Sequence, residues 1–320
     1  MSVPVYLAKL AVKNPSDHRL AKIKRLCDAV GLADKVKPLG TVGEDEVVAI
    51  KLHFGEAGND TYLHPTFVRQ VVDCVKATGA RPFLTDTCTL YKSTRHNAVD
   101  HLETAYRHGF TPYVVDAPVI MADGVTSKCY EEVAVNLKHF ASVKIAQAFL
   151  SANAMVVLSH FKGHAMGGFG GAIKNISIGI ASSAGKAWIH SAGKTKNAAE
   201  MWSALPPQDD FLESMAEAAK AVADHCGERI LYINVMNNLS VDCDCDAHPA
   251  APEMGDIGIL ASTDPVALDK ACVDLVYASD DPGKVHLIER IESRHGTHTL
   301  DHAAAIGLGN PDYELIDIDN

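Results

Sequence analysis

The stretch from Met155 to His190, MVVLSHFKGHAMGGFGGAIKNISIGIASSAGKAWIH, decides how this chain is read. Met155 to Leu158 is an unbroken apolar run, as expected of a strand buried on both faces. Ser159-His160-Phe161-Lys162-Gly163-His164 follows, then Gly167, Gly168, Gly170 and Gly171, then a helix start at Ala172 that carries Lys174 and Asn175. Glycines at this density permit positive φ and close backbone approach to a ligand. N–H groups at the start of the helix favour an anion. The pattern therefore predicts the floor of an active or cofactor site. His160, Lys162, His164 and Lys174 are its candidate binding and acid–base groups, and Gly167, Gly168, Gly170, Gly171 and Asn175 its candidate cofactor contacts.

Outward from this unit the same strand–loop–helix alternation recurs. Val3 to Leu7 reads as a strand, 17–30 as an amphipathic helix and Glu46 to Leu52 as a second buried strand. His64-Pro65 opens a helix that stops at Gly79, with Pro at its expected first position. Arg81 to Thr85 is a third strand leading into Asp86-Thr87-Cys88-Thr89. Tyr113 to Val115 reads as a short strand running into Asp116, and Lys144 to Ser151 as helical. Beyond the central unit, 183–196 is small and polar, and 194–210 reads as a surface excursion. Phe211 to His225 is a strong helix. Strands follow at Ile230–Val235, Ile257–Leu260 and Tyr313–Ile318, with a helix opened by Asp264-Pro265. The expected fold is α/β, a mostly parallel sheet flanked by helices, either as one domain or as two lobes at about 1–150 and 151–320. Ligands bind beyond the carboxyl ends of such strands. The loops carrying His53 and Glu56, Asp86 and Cys88, Asp116, and His160 to His164 are therefore expected to converge.

A net charge of −11 argues against a nucleic-acid binder, which needs a basic face, but leaves room for a small anionic ligand in a local basic pocket. No apolar run approaches the roughly 20 residues of a membrane span, and the N-terminus lacks the signal-peptide pattern. The cytoplasm is the expected compartment. The eight cysteines are scattered, which suits reduced thiols better than a disulfide framework. Cys27, Cys74, Cys226 and Cys272 fall within helical patterns and read as small buried hydrophobes. Cys243-Asp244-Cys245 is the sharpest local feature: thiolates two residues apart suit one soft metal centre, with a nearby Asp or His completing the shell. The phosphate-binding GxxxxGK[ST] loop, a GxGxxG in the first βα turn, GxSxG and HExxH are all absent.

Three blocks occur in order: the helix opened by His64-Pro65; His160-Phe161-Lys162-Gly163-His164 through Gly170-Gly171-Ala172-Ile173-Lys174-Asn175; and Cys243-Asp244-Cys245 followed by Asp264-Pro265-Val266-Ala267-Leu268-Asp269. Together they resemble the domain of unknown function 362 family, whose members are often labelled uncharacterised Fe–S center proteins. The resemblance implies a redox context, an Fe–S cluster or a single transition metal as cofactor, and a redox partner protein. Many members carry a ferredoxin-like CxxCxxCxxxCP insert after the glycine loop, whereas 194–210 here has no cysteine. A cluster in this chain therefore falls to Cys243 and Cys245, with Cys88 or Cys129 as helper. Three functions remain open: a metal- or Fe–S-binding protein with a redox or small-molecule role, its site between the glycine loop and the Cys243-Asp244-Cys245 loop; a cluster-free enzyme acting on an anionic small molecule; and a non-catalytic binding or interaction module.

Overall fold

The computed structural model of the protein describes residues 2–40 and 46–319. The chain runs through β1 (Val3–Lys9), α1 (Arg19–Ala29), α2 (Leu32–Val36), β2 (Val47–Lys51), α3 (Pro65–Lys76), β3 (Arg81–Asp86), α4 (Ala98–Arg107), α5 (Pro112–Val115) and β4 (Val119–Met121). It continues through β5 (Tyr130–Ala134), β6 (Ser142–Ala146), α6 (Gln147–Leu150), β7 (Ala154–His160), β8 (Lys162–His164), β9 (Gly168–Gly170), α7 (Ala172–Ser177), α8 (Ser183–His190) and α9 (Gln208–Cys226). The last elements are β10 (Ile230–Met236), β11 (Gly258–Ser262), α10 (Pro265–Ala278), α11 (Lys284–Ser293), α12 (His298–Ala305) and β12 (Tyr313–Asp317).

One sheet of order β12-β1-β11-β10-β7-β2-β3-β4 organises the molecule. Every neighbouring pair is parallel except those of β11, which runs against both β1 and β10. The sheet is thus mostly parallel, as the alternating units require. Strands from the two halves of the chain interleave: β7 lies between β2 and β10, and β1 between β11 and β12. The strand alternation sends Met155 and Val157 of β7 into a core packed by α7, α9, α10 and α12. Val156 and Leu158 go to the opposite core with α1 and α3. The apolar run that opened the sequence reading is therefore the central strand, covered by helices on both faces.

Local signals account for most helix ends. His64 Nδ1 accepts the Thr66 N–H at 3.3 Å and Pro65 takes the first position of α3. Asp264 Oδ1 accepts the N–H of Val266 and Ala267 at 2.8 and 3.0 Å and so caps α10. Several segments differ from expectation. Pro112 pre-sets a helical φ, so 112–115 is a short helix, not a strand; Asp116 then sits at φ 53 as its cap. Asp116 precedes β4, pairs with Lys76 at 2.8 Å and takes no part in the site. Residues 144–151 divide into the end of β6 and the short α6, while the small, polar 183–190 is helix α8, capped by Ser182.

The start of α7 holds the main structural surprise. Its N–H groups at Ala172 and Ile173 donate to Asp269 Oδ1 and Oδ2 at 2.8 and 3.0 Å, and Asn234 Nδ2 donates to Oδ1 at 2.7 Å. The anion expected at this helix N-terminus is thus a carboxylate of the chain itself, brought by α10. Gly171 is needed for that contact, because an added Cβ would lie 2.8 Å from Asp269 Cγ. Gly171→Ala is expected to cost about 1–3 kcal/mol of stability, read as a lower urea midpoint at unchanged slope. An unchanged midpoint would remove the packing role assigned to this glycine.

Candidate active site

Beyond the carboxyl ends of β2, β3 and β7 lies a cavity of about 790 Å³. His160, Lys162, His164, Lys174, Cys243 and Cys245 all face it, together with Gly170, Gly171 and Asn175. Strand β7 ends at His160, the short β8 carries Lys162 to His164, and α7 carries Lys174 and Asn175. The Cys243-Asp244-Cys245 loop is fastened from both sides: Glu56 N–H donates to Asp244 O at 2.8 Å and Gly163 N–H to Ser240 O at 2.8 Å. Gly163 admits this approach, since an added Cβ would lie 2.7 Å from Val241 Cα. Gly167 lies in the turn between β8 and β9, and Gly168, the first residue of β9, sits at φ +79 and abuts Gly296. Cys88 stands apart from the cysteine pair. Its N–H donates to Asp123, burial and that carboxylate push its thiol up, and it joins no cluster of ligand atoms among the described residues.

The centre of the wall is a thiolate. Lys174 Nζ lies 3.1 Å from Cys243 Sγ. The hydrogen bond from Cys245 holds Cys243 well below the ordinary thiol range; burial opposes this, while Lys174 and His164 reinforce it. Cys243 and burial together push Cys245 up, so the pair shares one proton and Cys243 bears the charge. Burial works against the charge on Lys174, but the thiolate beside it keeps its pKa above the ordinary lysine value. His164, Cys243 and Cys245 place their ligand atoms within 4.8 Å of one another.

The other named residues form a support layer. His160 Nδ1 lies 2.7 Å from Asp244 Oδ1 and Nε2 lies 2.6 Å from the Asn237 carbonyl oxygen, so both ring nitrogens are committed to the protein. Lys162 Nζ sits 2.9 Å from Asp244 Oδ2 as an ion pair, off the hydrogen-bond direction, and donates to the His160 carbonyl. Burial opposes the charge on Asp244, but His160 and Lys162 hold it below the usual carboxylate range. Asn175 ties the sheet to α7: its Oδ1 accepts from Lys51 Nζ at 2.7 Å and its Nδ2 donates to Ser159 Oγ at 2.9 Å.

Several cavity residues escaped sequence reasoning. Lys51 ends the buried strand VVAIK and pairs with Asp86 at 2.9 Å; a lysine inside an apolar run was the available signal. Arg95 pairs with Glu56 at 3.0 Å, while its Nη2 is buried with no hydrogen-bond partner among the described residues. Lys186 and His190 lie four apart on α8, which had been read only as small and polar. Burial lowers His190 to about 4, so its ring is neutral at pH 7. His190 Nδ1 donates to the Lys186 carbonyl at 2.7 Å, which leaves the Nε2 lone pair free. His164 has the other tautomer: its Nδ1 accepts the Gly167 N–H at 2.9 Å, so Nε2 carries the hydrogen.

These features define an α/β protein with a thiolate-walled cavity at the carboxyl edge of its sheet. The chain belongs to the domain of unknown function family DUF362, whose profile matches residues 48–274. Among solved structures it is similar to the lactate racemase apoprotein from Thermoanaerobacterium thermosaccharolyticum, at 14% identity and a TM-score of 0.46, covering 79% of this chain and 55% of that one. It is also similar to a protein from Thermotoga maritima, at 11% identity and a TM-score of 0.41, covering 90% of this chain and 59% of that one. The chain thus spans just over half the length of each. Among curated proteins nothing matches it. No helix among the described residues is long and apolar enough to cross a membrane.

Proposed function

We propose that the cavity binds an anionic small molecule and that Cys243, Cys245 and His164 hold one soft transition-metal ion at its wall. The carrying observation is the donor set: two sulfurs and an imidazole with their ligand atoms within 4.8 Å of one another, and Lys174 Nζ 3.1 Å from Cys243 Sγ. Two sulfurs, with the His164 Nε2 once its hydrogen is released, would suit a single ion with one open position. A four-iron cluster asks for four thiolates, which this wall does not supply, since Cys88 lies elsewhere. An ion held there supplies Lewis acidity toward an oxygen of the ligand. The unpartnered Arg95 Nη2 favours an anionic ligand beside it, because a buried guanidinium nitrogen without an acceptor is costly. Anaerobic purification followed by elemental analysis tests the reading. About one transition-metal equivalent per chain is expected, falling to trace in Cys243→Ser. Trace metal in the unaltered protein, or metal retained in the variant, defeats it.

One observation favours a metal-free alternative. Because His164 Nδ1 accepts a backbone N–H, its Nε2 hydrogen is shared with Cys243, which already stabilises the thiolate as a nucleophile. In that case iodoacetamide alkylates Cys243 of metal-free protein at a rate nearly flat between pH 6 and 8, where an ordinary thiol gains about tenfold per unit. Cys245→Ala, which removes the main hydrogen bond to Cys243, is expected to bring back a rising rate, and Lys174→Met a smaller part of it. A rate that climbs tenfold per unit in the unaltered protein rules out this alternative.

A further inference from the structure

We infer that Lys186 is a nucleophilic amine that forms an imine with a carbonyl-bearing anionic ligand of the cavity, an inference that rests on the anion-binding reading above. The lysines lining the cavity are Lys51, Lys162, Lys174 and Lys186. Lys51 pairs with Asp86, Lys162 with Asp244 and Lys174 with the Cys243 thiolate. Among the described residues no carboxylate lies within ion-pairing distance of Lys186, although only 7% of the residue is exposed. A buried ammonium in that position lacks the counter-ion it needs.

The hydrogen bonds of Lys186 fit the neutral form. Its Nζ donates to the Thr87 hydroxyl oxygen and to the Ala181 carbonyl at 2.7 Å. Thr87 spends its own hydrogen on the Gly179 carbonyl at 2.9 Å, so its oxygen acts as the acceptor toward Lys186. A neutral amine has two N–H bonds and one lone pair. Both hydrogens are then matched, and the lone pair is left for the cavity. Burial lowers Lys186 to about 8, with the Lys51 charge acting in the same direction and Asp123 and Asp86 against it. Desolvation beside a second cation is a recognised way to activate a lysine.

In the step, the Nζ lone pair attacks the carbonyl carbon and a C–N bond forms as the C=O π pair moves to oxygen. Transfer of both amine hydrogens to that oxygen releases it as water and leaves C=N. His190, one helical turn along α8 with a free Nε2 lone pair, is the nearest group on this helix suited to relay those protons. No oxidant or reductant enters. At pH 7.5 an amine of pKa about 8 is neutral roughly two hundredfold more often than an ordinary lysine.

The test treats metal-depleted protein with glyoxylate, an aldehyde that carries a carboxylate, then with cyanoborohydride, and maps carboxymethyl-lysine by peptide mass spectrometry. Acetaldehyde serves as the neutral comparator. Lys186 is expected to be labelled at least tenfold faster than surface lysines, to prefer glyoxylate, and to show a labelling midpoint near pH 8. Lys186→Arg is expected to lose the fast label while retaining its circular dichroism. No fast label at Lys186 from either aldehyde overturns the inference. Equal labelling by the two aldehydes upholds the amine and defeats the anionic-ligand reading on which it was placed.

Discussion

Asp244→Ala is expected to lower the unfolding free energy by about 3–5 kcal/mol. The carboxylate is fully buried between His160 and Lys162, at 2.7 and 2.9 Å. Its removal leaves the buried Lys162 ammonium without its counter-ion and the His160 ring without its Oδ1 partner, and the uncompensated lysine charge is the main cost. The same change loosens the turn that fixes Cys243 and Cys245, so metal and thiolate properties should be lost with it. Asp244→Asn, which keeps an acceptor toward His160, is expected to fall between the two. A guanidinium melt followed by tryptophan fluorescence measures the loss. A midpoint within error of the unaltered protein would show that Asp244 does not hold the site together.

The second large effect is acid lability above the range of carboxylate titration. Burial lowers His101 to about 3 and His190 to about 4, and it also lowers His53 and His164. The His101 and His190 rings stay neutral in the folded chain at pH 5, while the unfolded chain takes up protons near pH 6.5. The unfolded state therefore binds more protons in that window, and stability falls as pH drops from about 6.5 toward the folded values. His101 and His190 each contribute about 2 kcal/mol of loss by pH 5, or about 4 kcal/mol together. Urea unfolding at pH 7 and pH 5 reads this directly. Neither nitrogen of His101 has a hydrogen-bond partner among the described residues, so His101→Leu should keep stability at pH 7 and remove about half of the acid loss. An unchanged pH slope in that variant would mean that another group drives the acid response.

The sequence made the sheet and half of the site legible, for physical reasons that differ. The run Met155 to Leu158 is buried on both faces, and only the centre of a mostly parallel sheet buries a strand that way. His160, Lys162, Lys174 and Cys243 were visible because polar groups crowd beside an apolar strand or repeat at short spacing. The glycines were misleading in part. Gly163 and Gly171 admit neighbouring protein, not a ligand, and a sequence cannot tell which of the two comes close. Asp269 filled the helix N-terminus from almost a hundred residues away, a pairing that depends on the tertiary fold. The reversed direction of β11 was hidden for the same reason, because a strand's apolar pattern carries no sign of its direction. Lys186 and His190 were hidden in a helix whose alanines and serines give little periodicity.

The thiolate and imidazole donors at the cavity wall are tested most directly by titrating metal-depleted, reduced protein with Co2+ under anaerobic conditions and following the absorption spectrum. Binding through Cys243, Cys245 and His164 predicts saturation at about one ion per chain. An intense sulfur-to-cobalt charge-transfer band should rise with it, vanish on addition of Zn2+ and be absent from Cys243→Ser. A titration that shows no such band, or the same band in the Cys243→Ser variant, would contradict the metal site at this wall.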